Sequence, residues 1–225
     1  MRWVDRGPEP DGVAGYARQF TQGWVDYFRH QRGGRPTDSF WREFRAALGL
    51  RSDGLCWYCE RLCQAASEVG GRSATVDHFR PRSQFPELAY EWTNWIFSCY
   101  RCNSENKMDK WPALGYVDPG AGDERERPEL YFDYDPLTGE IVPHPGLADN
   151  DRRKAEGTIA DLGLNKIDVL FYRLDWTRRF VEDLRALPAD ARTDFVDYAW
   201  GRRLSSLGQR GCWWRRCGRP GRFSR

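Results

Sequence analysis

Four stretches of the chain read as helices from the spacing of their apolar residues. Val13 to Phe28 is one, dense in aromatic side chains, entered from the Pro/Gly-rich run at 7–12 and broken by Gly33-Gly34-Arg35-Pro36. A second runs through Phe40, Trp41, Phe44 and Leu48, with Thr37, Asp38 and Ser39 offered as N-caps and Gly49 as its stop. A third is expected through Ala155, Ile159 and Leu162, capped by Asp149-Asn150-Asp151 and closed by Gly163. The fourth, with Asn165 placed to cap it, carries Ile167, Leu170, Phe171, Leu174, Val181 and Leu184 at three- and four-residue spacing up to Pro188, which predicts one buried face. A shorter helical stretch is expected at 189–200. Between the second and third helices, Leu130 to Tyr134 and Ile141-Val142 flank Asp135-Pro136-Leu137-Thr138-Gly139 and read as a β-hairpin. Residues 56–110 follow neither period. They fall into short segments rich in Cys, Trp, Tyr and Pro, the composition of a small module organised around metal.

Composition makes the chain a core-former: 225 residues are 40% hydrophobic and 15% aromatic. A mean hydropathy of −0.78 and the lack of any run of about 20 apolar residues argue against membrane spans. The first residues lack the apolar stretch of a signal peptide, so a cytoplasmic, bacterial location is expected, with reduced thiols. The formal net charge of +2 hides an asymmetry. Residues 200–225 hold eight arginines and no acid, so the remainder sums to −6 (+2 less 8). This Arg/Trp/Gly-rich tail is expected to be irregular. Its Cys212 and Cys217, four residues apart with no second pair, do not have zinc spacing.

Chemistry concentrates in the middle. Cys56-Trp57-Tyr58-Cys59 and Cys99-Tyr100-Arg101-Cys102 are two C-x-x-C pairs with 39 residues between them. Two residues between thiols let both sulfurs of a tight turn face one point, and two such turns complete a tetrahedral site for Zn²⁺. A redox dithiol lacks its strand-then-helix context here, and Cys63 reads as a bystander. Four thiolates close the coordination sphere, which makes this zinc structural. Between the pairs lie Asp77-His78-Phe79-Arg80-Pro81-Arg82, Trp92-Thr93-Asn94 and, after the last cysteine, Asn103 and Lys107. An Asp-His pair on its own is more often a surface ion pair or a satisfied structural histidine than a catalytic one.

The order C-x-x-C, Asp-His, Asn, C-x-x-C-Asn resembles the four-cysteine HNH endonucleases of the ββα-metal class. That resemblance implies an α+β, mostly helical fold: a ββα-metal core braced by the Cys₄ zinc, with flanking helices and the hairpin. Carried over by position, it implies Asp77 as a ligand of the catalytic ion, His78 as general base, Asn94 as the residue fixing the loop and the imidazole, and Asn103 as second ligand. Asn103 departs from the family name, standing where a third histidine would be. An Asp/Asn oxygen pair suits Mg²⁺ or Mn²⁺. Arg80, Arg82 and Lys107 are candidate phosphate contacts.

The flanking sequence is also similar to the PtuB-like HNH nucleases of Septu and retron anti-phage systems. This implies hydrolysis of DNA beside an ABC/SMC-like ATPase, PtuA-like, on a separate chain, since no P-loop occurs here. An RNA (tRNA) nuclease using the same site and a non-catalytic zinc module remain alternative readings. The organisation expected is 1–50 N-terminal helical segment, 51–112 core with zinc knuckles, 113–199 hairpin and helical accessory region, and 200–225 tail.

Overall fold

A computed structural model describes residues 1–65 and 70–188. The expected helix at 189–200 and the tail at 200–225 lie outside the described residues. The helices are α1 (Val13–His30), α2 (Arg45–Leu50, led in by a 3₁₀ turn over Phe40–Phe44), α3 (Asp149–Leu162) and α4 (Ile167–Ala186). The strands form two antiparallel pairs, β1 (Ala74–His78) with β2 (Trp95–Cys99) and β3 (Phe132–Tyr134) with β4 (Ile141–Pro143). A π-helix, Arg101–Lys107, follows β2 directly. No helix among the described residues is long and apolar enough to cross a membrane.

The β1–β2 register pairs Ala74 with Cys99 and His78 with Trp95. Every residue of β2 is buried, which explains its unbroken run Trp-Ile-Phe-Ser-Cys: α2 covers the sheet on one side and the π-helix on the other. The closeness is measurable at Gly49, where a Cβ would lie 3.1 Å from the Phe97 ring. One apolar cluster draws residues from Met1 to Val169, so the flanking parts share a core with the middle of the chain. Even the irregular first residues are buried in it, Arg6 reaching the backbone carbonyl of Trp95 and its guanidinium lying 5.2 Å over the Trp57 ring.

Three expected caps are not made, and in two of them the side chain has a tertiary partner instead. Asp38 accepts from Trp24 Nε1 at 2.9 Å and from the Tyr90 hydroxyl, tying α1 to the loop before β2. The helix at 149 starts after Ala148 with no side-chain cap, its Asp149 and Asp151 serving only as first-turn charges. Asn165 leaves the N-terminus of α4 uncapped and pairs with Ile141, accepting from its N–H at 2.9 Å and donating to its carbonyl at 2.8 Å. An amide that matches a peptide in this way extends the β4 edge by one strand-like rung. Gly163 ends α3 as expected, at φ 63°.

α4 forms over the expected range but not on the expected face. Val169 and Arg173 are its buried residues, while Ile167 and Phe171 are each 65% exposed. Polar anchors set its rotation: Asp168 pairs with Arg61 at 2.5 Å and with Arg101, and Arg173 donates to the Gly139 carbonyl at 3.2 Å. The apolar stripe therefore has less say than the ion pairs that pin the first turns.

Replacing Asn165 by Ala is expected to cost about 2 kcal/mol, because the buried Ile141 backbone loses both partners. Thermal unfolding should fall by about 4–8 °C; an unchanged melting temperature would show that the rung adds nothing.

Candidate active site and zinc centre

The first knuckle is a tight loop closed by pairing of Leu55 with Leu62. Cys56 N–H donates to the Arg61 carbonyl at 2.9 Å, and Glu60 turns the chain at φ 63°. It is tied to the sheet by Trp57 N–H, which donates to the Phe97 carbonyl at 3.0 Å. The second knuckle is the junction of β2 and the π-helix, with Cys99 ending the strand and Cys102 in the first helical turn. The four sulfurs all lie within 4.8 Å of one another, and Cys59 and Cys99 are 3.8 Å apart. Four bonds of about 2.3 Å at tetrahedral angles require a similar separation, so the cluster has the size of a zinc site. Cys63, half-buried, stands outside the cluster. Burial pushes the Cys56 thiol well up, while hydrogen bonds from Cys102, Cys56 and Cys99 hold Cys59 well below the ordinary thiol range. Four buried thiols this close cannot all ionise unless a cation shares them, which is the condition a Cys₄ zinc meets.

Beside the knuckles runs a groove of about 910 Å³, lined among others by Asp77, His78, Arg82 and Asn103. Asp77 and His78 are consecutive at the end of β1, yet both border it, because the strand ends there. His78 Nε2 lies 2.9 Å from the Ala89 carbonyl oxygen. A carbonyl only accepts, so Nε2 carries the proton and Nδ1 keeps its lone pair. Burial, with Arg82 and Lys107 adding positive potential, holds the imidazole pKa well below the usual histidine range. The ring meets the edge of Trp41 at 4.7 Å.

Asp77 is 4% exposed, and both its oxygens are engaged: Tyr58 OH donates to Oδ2 at 2.6 Å and Lys107 Nζ lies 3.1 Å from each oxygen. Burial raises the Asp77 pKa, and Lys107 and Tyr58 act against that rise. Asn103 donates through Nδ2 to Thr75 Oγ1 at 3.1 Å and to the Val76 carbonyl at 3.4 Å, which leaves its amide oxygen as the end open to a ligand. A carboxylate and an amide oxygen bordering one groove fit a hard divalent cation.

Three expected residues stand elsewhere than the sequence implied. Asn94 does not touch the imidazole. Its amide accepts from Arg80 N–H at 2.8 Å and donates to the Arg80 and Leu88 carbonyls, so it closes the 80–94 loop, and the ring is held by Ala89, next to Leu88. Lys107 is fully buried, bonded to Asp77 and to the His78 carbonyl at 2.8 Å, out of reach of a phosphate passing along the surface. Arg80 is not among the groove-lining residues and lies over Phe85 and Trp111. Arg82 does border the groove, its guanidinium held between Trp24 at 4.3 Å and Trp41 at 4.4 Å. Arg42 and Arg45, from the N-terminal segment, line the same groove. Nothing in their local sequence sets them apart from other surface arginines, so only the fold reveals them.

The β1–β2–helix unit framed by the four cysteines coincides with residues 56–108, which match the family model described as HNH endonuclease. Across 128 residues it is 27% identical to the Septu protein PtuB of Bacillus thuringiensis, an alignment covering 57% of this chain and 43% of that protein. The chain therefore matches less than half the length of that relative.

The zinc site should contribute on the scale of the whole net stability of an ordinary domain, about 10–16 kcal/mol against about 5–15. Cys59→Ser or Cys102→Ser is expected to lose zinc, measured by mass spectrometry, together with the folded signature of the core in near-UV circular dichroism.

Proposed function

We propose that the protein is a metal-dependent endonuclease that hydrolyses DNA phosphodiester bonds, acting as the nuclease subunit of a bacterial anti-phage system beside an ABC/SMC-like ATPase. The observation that carries the hydrolytic reading is His78: a buried imidazole with a fixed tautomer, bordering one groove with Asp77 and Asn103. The relative named Septu protein PtuB supports the defence context. The ATPase partner and the choice of DNA rest on the resemblance to that group.

In this reading His78 Nδ1 takes a proton from the water that attacks phosphorus, while the bond to the 3′ oxygen breaks. Its depressed pKa keeps the ring neutral near pH 7, the state a base requires. Asp77 and Asn103 would hold Mg²⁺ or Mn²⁺, and such an ion would supply positive charge toward the phosphate. Asn94 acts at one remove, by keeping the 80–94 loop closed so that the Ala89 carbonyl meets Nε2. Arg82, packed over the Trp24 and Trp41 rings, presents a planar cation that is already partly ordered, and Arg42 and Arg45 extend the positive wall. The negative balance of residues 1–199 means that these local cations carry substrate binding, so binding by this chain alone is weak.

Purified protein with plasmid and Mg²⁺, with and without the ATPase, tests the proposal. His78→Ala should slow cleavage by about 10²–10⁴-fold; equal cleavage by wild type and His78→Ala would remove the assignment of the base. Duplex DNA, single strands and tRNA compared side by side decide the substrate, and preferential cutting of tRNA would overturn the DNA reading. Arg42→Gln with Arg45→Gln is expected to weaken DNA binding and flatten its salt dependence by about two ions, leaving cleavage at saturating DNA nearly intact.

A further inference from the structure

Tyr58 sits between the two cysteines of the first knuckle, and its ring is completely buried. Its hydroxyl crosses 19 residues of sequence to donate to Asp77 Oδ2 at 2.6 Å. The short distance is that of a charge-assisted O–H···O⁻ bond. Lys107, in the helix that begins with the second knuckle, holds the same carboxylate from the other side. The carboxylate expected to bind the catalytic ion is thus held by one side chain from each half of the zinc-binding frame. Neither knuckle can move without moving a donor on Asp77.

We infer that Tyr58 is a positioning residue: its hydroxyl fixes the rotation of the Asp77 carboxylate, so that the zinc knuckle sets the geometry of the catalytic-ion site. The inference rests on the nuclease reading given above. Two things follow from the geometry. A carboxylate with Oδ2 engaged by a phenol and both oxygens near an ammonium turns its remaining lone pairs in one direction, so less entropy is lost when an ion binds. Removing the phenol leaves Lys107 as the only side-chain donor among the described residues, and the carboxylate can then rotate toward it and away from the groove.

Tyr58→Phe deletes one oxygen and keeps the buried ring. Mn²⁺ binding, read from the electron paramagnetic resonance of free Mn²⁺, is expected to weaken by about tenfold, within the range for groups that orient metal ligands. Zinc should remain at one ion per chain, and substrate KM at saturating Mn²⁺ should stay within about twofold of wild type, while the Mn²⁺ concentration for half-maximal cleavage rises in step with the binding defect. Unchanged Mn²⁺ affinity with zinc retained would overturn the role of Tyr58. Asp77→Ala separates this from failure of the underlying reading: if it binds Mn²⁺ as well as wild type, Asp77 is not a ligand and both ideas fall. A second measurement leaves the tyrosine in place. 3-Fluorotyrosine at position 58 alone should show a ¹⁹F resonance that shifts in Asp77→Asn and broadens on adding Mn²⁺ to the Asp77 protein; a resonance indifferent to both would overturn the inference.

Discussion

Two five-residue strands and one turn and a half of helix bury too little surface to stand alone, and everything else in this protein answers that shortage. Four sulfurs within 4.8 Å of one another bring the loop before β1 to the junction after β2, and a zinc ion there would close the unit. The same shortage recruits the flanks. α2 covers one face of the sheet, Arg61 and Arg101 share Asp168 of α4, and Asn106 of the π-helix donates to the last carbonyl of α3 at 2.8 Å.

Against this background the polarity of the site makes physical sense. A buried carboxylate is costly unless its oxygens are satisfied, and Asp77 has a phenol and an ammonium doing so. A fully buried lysine is costly for the same reason, and Lys107 is satisfied by Asp77 and the His78 carbonyl. Each of the pair is what makes the other tolerable. Burial keeps the neighbouring histidine neutral and raises the Asp77 pKa, a rise that Lys107 and Tyr58 oppose.

The parts readable from sequence were those whose signal is local. C-x-x-C spacing is a property of one turn, and the four cysteines do come together as it implies. Helix periods gave α1, α3 and α4 to within a few residues, and the Asp-Pro-x-Thr-Gly turn gave the hairpin. Asp77, His78 and Asn103 meet at one groove as their order suggested. Capping assignments failed where a short polar side chain had a better partner far away in sequence, as Asp38 has in Tyr90 and Asn165 in Ile141. Lys107 was misread for the same reason. An ammonium that crosses 30 residues to a buried aspartate looks, in one dimension, like any lysine at the end of a basic helix.

Trp24 and Trp41 both lie against Arg82, and Trp41 also against His78, which bears on where the proposed functional unit begins. Family matching marks 56–108 as the domain, but one wall of its groove and one neighbour of His78 are supplied by residues 24–45. The unit that could be moved intact into another protein is therefore larger than the motif that names it. A graft cut at residue 56 would carry Asp77, His78 and Asn103 and leave behind the two indole rings that pack on Arg82.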